Sequence, residues 1–333
     1  MNHSAMNDSP PPPPLSRRAL LRRGGIIAVV APRKGAPAGD SSEDALDLHV
    51  CLTAEGRILA FSGHVDLGTG IRTALAQMVA EELDFPFDAV EMVLGDTADT
   101  PDQGATIASE TIQVTSVAMR IGATQIRARL IALAAAALAC GEGEINLRDG
   151  RLYRGEAETP AIGLDTLLAN ERLLLPLAES AQFKPIDHHR LIGRSVARVD
   201  IPAKVDGSFV YVHDVRVPGM LHGRVVRPPY SGMDAGDFVG RSLIAVDRES
   251  ISGIPGIRAL VVERDFIGIV AEREEQAAEA ALALKAEWRS FTPPDLSDVA
   301  QALRAHPSTP RLLVDEGDVE AALGTLEKRL DRT

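Results

Sequence analysis

Aromatic side chains are scarce here: one Trp, three Tyr and eight Phe make up 4% of 333 residues. Interior volume must therefore come from Leu, Val, Ile and Ala. Cysteine is scarcer still. Cys51 and Cys140 lie far apart and neither belongs to a C-x-x-C pair, which excludes an iron–sulfur or zinc centre built from this chain's own thiols. The two thiols either close one disulfide in an oxidising compartment or act as small buried apolar groups. No run of Lys and Arg is long enough to cover a polyanion, and the formal net charge is −12, so nucleic acid is excluded as a partner. No stretch approaches the ~20 apolar residues of a membrane span. A G-x-S-x-G elbow and a repeat at fixed period are also missing.

What is present reads as an α+β chain. Residues 1–44 are expected to form a disordered leader. MNHSAMNDSPPPPP is polar and proline-rich, and the following LSRRALLRRGGIIAVVAP carries Arg17 and Arg18 before a short apolar run. That pattern is similar to a twin-arginine export signal, which would place the protein in the periplasm. The other reading is a basic tail on a cytoplasmic protein. Two strands are predicted within residues 46–67, around a turn at Glu55-Gly56. A helix follows from Ile71 to Leu83, then a strand at AVEMVLGD and a long alanine-rich helix from about Gln113 to Ala139. A hairpin turns at Asp149-Gly150, and LDTLLANERLL reads as a short helix. Residues 183–203 read as an extended linker at a domain boundary, with strands and then a helix from Glu272 to Trp288 beyond it. His188 and His189, adjacent in that linker, read as solvent-facing rather than as metal ligands.

Two loops carry the chemistry. GHVDLGTGIRTALAQMVAEEL turns at Gly68-Thr69-Gly70 directly into a helix. Backbone N–H groups at a helix start favour an anion, and glycines let it approach. The same turn also serves as a plain tight strand–helix connection, and it lacks the Gly-Lys-Ser/Thr of a nucleotide loop. The second loop, DTADTPDQGATIASETIQ, places Thr106, Ser109 and Thr111 before the second helix, with Ala105 and Ala108 leaving room. Those hydroxyls either bind an anionic group or cap the helix.

Together the two loops resemble the molybdenum-cofactor domain of the xanthine dehydrogenase/aldehyde oxidase family, closest to the permuted large subunits of the isoquinoline 1-oxidoreductase and nicotinate dehydrogenase kind. Gly68, Thr69, Gly70, Thr73 and Gln77, followed by Asp96, Thr97, Pro101, Gly104, Thr106 and Ser109, match the family's order and spacing. Thr69 stands where many members carry Gln, and Ile107 and Glu110 replace the small or amide residues usual beside the serine. RVDIPAKVDGSFVYVHDVRVPGMLHGRVVRPP resembles the family's a/b hammerhead domain. The resemblance implies a partial molybdopterin-binding domain at 45–182, a linker at 183–203, a hammerhead domain at 204–290 and a further segment begun at 291–333. It implies that Gly68, Thr69, Gly70, Thr106, Ala108, Ser109 and Thr111 contact molybdopterin, with or without its cytosine dinucleotide tail. The implied activity is oxidation of an aldehyde or N-heterocycle with water as oxygen donor. The alternative is a remnant or interaction module without cofactor. Implied partners are a small [2Fe–2S] subunit, a cytochrome c subunit and a chain supplying the C-terminal half with its general-base Glu. Without that half, the chain by itself is expected to hold no molybdenum and to turn nothing over. No catalytic residue and no metal ligand is expected within the chain.

Overall fold

The computed structural model describes residues 16–40, 42–169, 171–228, 242–289 and 295–325. The proline-rich stretch expected to be disordered, and the ends of the expected further segment, lie outside the described residues. The chain divides into two compact units, Met1–Val210 and Tyr211–Thr333.

The first unit opens with helix α1 (Arg17–Arg22) and strand β1 (Ile26–Pro32), followed by β2 (Leu46–Thr53), β3 (Ile58–Ser62), α2 (Ile71–Leu83) and β4 (Val90–Leu94). The long helix α3 (Ser116–Ala137) comes next, then the hairpin β5 (Ile145–Arg148) and β6 (Arg151–Arg154). The unit ends with α4 (Leu164–Leu168), β7 (Arg172–Pro176) and α5 (Ile201–Asp206). Five strands form one sheet in the order β4-β3-β2-β1-β7. The β1/β2 and β2/β3 pairs are antiparallel, whereas β3/β4 and β1/β7 are parallel. Parallel neighbours need a crossover, and α2 supplies the one between β3 and β4.

Both sheet faces are buried. Ile27, Val29, Val50, Leu52, Ile58 and Ala60 meet Leu75, Val79 and Leu83 of α2 and Met119, Ile126 and Leu130 of α3 in the main core. On the reverse face Ile26, Ala28, Leu48, Cys51, Leu59 and Phe61 meet Leu20 and Leu21 of α1. Cys51 and Cys140 are both free thiols, and burial pushes Cys51 up to about 12. A chain this poor in aromatics thus fills its interior with aliphatic layers on two sides of one sheet.

The leader assignment for residues 16–44 is corrected by these elements. Ser16 accepts from the Ala19 N–H and caps α1, the Arg17 guanidinium is buried and donates to the carbonyls of Glu43 and Leu46, and β1 lies between β2 and β7. A short all-apolar run is what a strand buried on both faces requires, and periodicity alone does not separate it from the core of an export signal. Its parallel partner β7 lies in the stretch that reads as the end of a short helix, ERLL. Each of these two strands is made legible only by the other.

The linker at 183–203 is corrected as well. Residues 184–200 form a strap fastened along α2, and the first unit extends to Val210. At the C-terminal end of α2, Lys184 Nζ reaches Glu81 at 2.9 Å and Asp84 at 2.6 Å. The other Glu81 oxygen accepts the N–H groups of Arg190, Leu191 and Ile192 at 2.8, 2.6 and 3.0 Å. One turn earlier Gln77 Nε2 donates to the carbonyls of Leu191 and Arg194, both at 3.1 Å. Near the helix start Thr73 Oγ1 accepts the Val199 N–H at 3.1 Å. The strap therefore runs antiparallel to α2, and Thr73 and Gln77, four apart on one helix face, grip it.

The second unit contains β8 (His222–Val226), β9 (Leu243–Asp247), β10 (Ile257–Glu263), β11 (Phe266–Ala271), α6 (Glu274–Ala283) and β12 (Lys285–Trp288), then α7 (Val299–Ala305) and α8 (Val319–Gly324). A three-stranded sheet runs β10-β11-β8, and β9 pairs with β12. Ile267, Ile269, Ile251, Ala280 and Leu284 form its core. The helix expected to reach Trp288 stops at Ala283, and Trp288 pairs with Leu243 across β12 and β9. Lys285-Ala286-Glu287 are good helix formers, but β9 takes them as its strand partner, so tertiary pairing overrides propensity. Leu282 on α6 is exposed.

Candidate functional site

The loop after β3 and the loop after β4 meet at the ends of the parallel strands. His64 is the hinge between them. It is fully buried, its Nδ1 lies 2.8 Å from Thr111 Oγ1, and its Nε2 lies 3.4 Å from the Gln103 carbonyl. Gln103 Oε1 accepts from Ser62 Oγ at 3.0 Å and from the Gly63 N–H at 2.9 Å, while its Nε2 donates to the Thr115 carbonyl at 3.2 Å. Thr106 Oγ1 accepts the Val65 N–H at 3.0 Å. Side chains from one loop thus satisfy the backbone of the other, as buried polar groups require.

Gly63 makes the approach possible. A Cβ there would sit 2.2 Å from the Pro101 carbonyl oxygen, a backbone atom with nowhere to go. Gly63→Ala is expected to cost about 1–3 kcal/mol and to part the loops. Urea unfolding, with amide exchange of residues 101–115, checks this; unchanged exchange would contradict the packing.

Between the loops lies a hollow of about 360 Å³ lined by Val65, Leu67, Thr69, Ile71, Thr106, Ile107, Ala108, Ser109, Thr111 and Ile112. Five of the seven residues expected to bind the cofactor, Thr69, Thr106, Ala108, Ser109 and Thr111, therefore surround one space. Gly68 and Gly70 are not among its lining residues. The walls are mostly aliphatic, and among the described residues no Lys or Arg lines the hollow. Ala108 and Ser109 both hold left-handed backbone, at φ 53° and 58°, and the chain then enters a π-turn at Thr111–Thr115 before α3. Consecutive non-glycine residues in this region are strained, and such strain clusters at ligand sites. Neither Ser109 nor Thr111 caps the helix, because no side-chain cap bond forms at the start of the π-turn or of α3. Glu110 is exposed and does not line the hollow.

The glycine turn itself is not an open anion cradle. Asp66 Oδ1 accepts the N–H groups of Gly68 and Gly70 at 2.9 and 3.2 Å, and Oδ2 accepts that of Arg72 at 3.2 Å. Burial raises this carboxyl, but the three N–H groups outweigh burial and hold it below the ordinary aspartate value. An internal carboxylate has taken the place of the anion expected at the start of α2. Asp66, two residues before the first glycine, is the sequence signal for this, since D-x-G is an Asx-turn pattern. Gly70 takes φ 77°, and a Cβ there would meet the Arg198 side chain at 3.2 Å. Arg198 donates to the Gly68 carbonyl at 3.0 Å, so the end of the strap clamps the turn.

The larger cleft, about 690 Å³, lies where the strap crosses the end of α2. Its carboxylates Glu82 and Asp84 are already paired with Arg120, Arg127, Lys184 and Arg190. His189 Nε2 lies 3.1 Å from the Lys184 carbonyl, and no group of metal-ligating side chains occurs among the described residues. Arg17 and Arg18 sit on α1, where Arg18 pairs with Asp44.

A pair of small-residue loops latched around a cation-free hollow, at the ends of parallel strands, defines a site for a neutral ring system more than for a nucleotide. Comparison with known proteins identifies the family of the chain. Residues 16–197 match the molybdopterin cofactor-binding domain family. The chain is 50% identical over 293 residues to a nicotinate dehydrogenase subunit of Pseudomonas putida, covering 87% of this chain and 24% of that one. It is 26% identical over 314 residues to the beta subunit of the isoquinoline 1-oxidoreductase of Brevundimonas diminuta, covering 80% of this chain and 39% of that one. Among solved structures, a CO dehydrogenase from Oligotropha carboxidovorans is similar over 43% of this chain and 18% of that one, at 22% identity and a TM-score of 0.32. The chain belongs to the xanthine dehydrogenase family of molybdopterin-binding subunits. It spans less than two-fifths of the length of these curated relatives.

Proposed function

We propose that the first unit forms one wall of a molybdopterin site in a molybdenum hydroxylase acting on an N-heterocycle or an aldehyde, with water as oxygen donor. The observation that carries this is the shared hollow, where Thr69, Thr106 and Ser109 have hydroxyl hydrogens not spent on any of the described residues. The donor set fits the ring system of the cofactor: aliphatic walls for its faces and hydroxyls for its polar edge. It does not fit a phosphate tail at Gly68–Gly70, because Asp66 already uses those donors and would repel a second anion. A cytosine dinucleotide, if carried, is held elsewhere. When bound, the molybdenum group supplies the redox centre of the hydroxylation. This chain's residues bind and orient it: Thr106 and Ser109 donate to its edge, while Leu67, Ile71, Ile107 and Ile112 exclude water.

N-heterocyclic substrates are favoured by the names of the relatives, a nicotinate dehydrogenase and an isoquinoline oxidoreductase. Electrons leave through a [2Fe–2S] partner subunit, since Cys51 and Cys140 are too few to hold a cluster. The second unit is read as an a/b hammerhead domain, supported by the three-stranded sheet against which α6 packs.

The test is co-expression with an iron–sulfur subunit and with a polypeptide matching the rest of the relatives' length, followed by molybdenum and pterin analysis. Ser109→Ala is expected to lower retained pterin severalfold without altering the unfolding midpoint, whereas Thr106→Val also removes the acceptor of the Val65 N–H and is expected to lower both. A wild-type complex free of molybdenum and pterin would refute the reading.

A further inference from the structure

His64 is buried, yet it contributes no atom to the lining of the hollow. Its two ring nitrogens face unlike partners. The Gln103 carbonyl only accepts, so its 3.4 Å contact is a hydrogen bond when Nε2 carries the hydrogen. In that tautomer Nδ1 is a lone pair, and at 2.8 Å it takes the hydroxyl hydrogen of Thr111. The Thr111 hydroxyl is thereby turned into the protein, and toward the hollow it lines only acceptor capacity remains. Thr106 is set the opposite way. Its oxygen accepts the Val65 N–H, which leaves its own hydrogen free.

We propose that His64 is the positioning residue of this hollow, fixing the Thr111 hydroxyl as an acceptor beside the donors Thr106 and Ser109 and holding the strained Ala108–Ser109 turn shut. This assignment takes the hollow as the cofactor wall proposed above. The occupant it selects is a ring edge carrying at least one N–H together with acceptor atoms. A fully ionised phosphate, which only accepts, finds the Thr111 oxygen facing it without a proton. The pattern accounts for a wall without Lys or Arg: recognition runs on matched neutral hydrogen bonds, each modest alone and geometrically selective together.

The test has two readouts on the chain itself and one on the assembled complex. Nitrogen-15 NMR of selectively labelled histidine is expected to show His64 as the Nε2–H tautomer, with an Nδ1 resonance that moves in Thr111→Val and stays in Thr111→Ser. Amide exchange of residues 104–115 is expected to rise about threefold to tenfold in Thr111→Val, the range corresponding to one neutral hydrogen bond. It should stay near wild type in Thr111→Ser and in His64→Gln, whose amide offers one acceptor and one donor. In the co-expressed complex, retained pterin should fall by a similar factor in Thr111→Val and recover in Thr111→Ser. An Nδ1–H tautomer, or exchange indifferent to Thr111→Val, would overturn the assignment. A wild-type complex without pterin would instead sink the cofactor reading, while the tautomer and exchange results still decide the latch.

Discussion

A chain that begins at Lys34 is expected not to fold. It would lose β1, which occupies the sheet position between β2 and β7, and with it Ile26, Ile27, Ala28 and Val29, all fully buried. Leu20 and Leu21 would go too, exposing the reverse face of the sheet. Removing five large side chains of this kind forfeits about 10 kcal/mol of burial, comparable to the whole stability of an ordinary domain. β7 would keep no partner. Far- and near-ultraviolet circular dichroism with thermal unfolding is the measurement, and a cooperative transition with native near-ultraviolet signal would contradict it. Point variants separate the structural role of the arginine pair from any role as an address. Arg17→Ala removes a buried guanidinium from two backbone carbonyls and is expected to cost about 2–3 kcal/mol. Arg18→Ala removes one exposed ion pair with Asp44 and is expected to cost under about 1 kcal/mol. An export signal would need both arginines alike; the fold needs the first.

Glu81→Gln is expected to cost about 3 kcal/mol at neutral pH and to free the strap. Burial opposes the charge of Glu81, but Lys184 and the N–H groups of Leu191, Ile192 and Arg190 outweigh it and lower the carboxyl to about 2. The unfolded chain holds that carboxyl near its ordinary value of 4.5. Because the folded value is the lower one, the stabilisation is complete above about pH 4.5 and disappears as pH falls toward 2. A depression of this size corresponds to about 3 kcal/mol. Urea titrations of wild type at a series of pH values should show that slope, and Glu81→Gln should flatten it. Lys184 keeps Asp84 as an ion-pair partner in that variant, so Lys184→Met in the Glu81→Gln background should not recover the loss. Equal slopes in wild type and variant would show that the carboxylate is not the source. Exchange of the amides at 190–192 should rise in parallel.

Local signals carry much of the architecture. Ile71 through Leu83 repeat at helical spacing and end at Asp84, and the structure places α2 over those residues with Asp84 in left-handed backbone. The Asp149-Gly150 hairpin and the β2/β3 pair are legible for the same reason, since a turn and its flanking alternation lie close together in sequence. β1 and β7 are not. They pair over a separation of about 146 residues, and each alone looks like something else. The strap reads as a linker because its hydrogen bonds go to side chains of α2 rather than to its own neighbours.

The candidate site divides in the same way. Thr69, Thr106, Ala108, Ser109 and Thr111 are marked in the sequence by small size, hydroxyls and position before helices, properties each residue carries by itself. That Asp66 fills the glycine turn is local, written in the D-x-G pattern, but that His64 and Gln103 latch the loops and that Arg198 presses on Gly70 are facts of distance between segments far apart in the chain. Composition and local spacing are sums over neighbours, and they determined the elements, the apolar character of the core and the two loops. Which donors are left for a ligand depends on which are spent inside the protein, and only the folded packing of strands, helix and strap decides that.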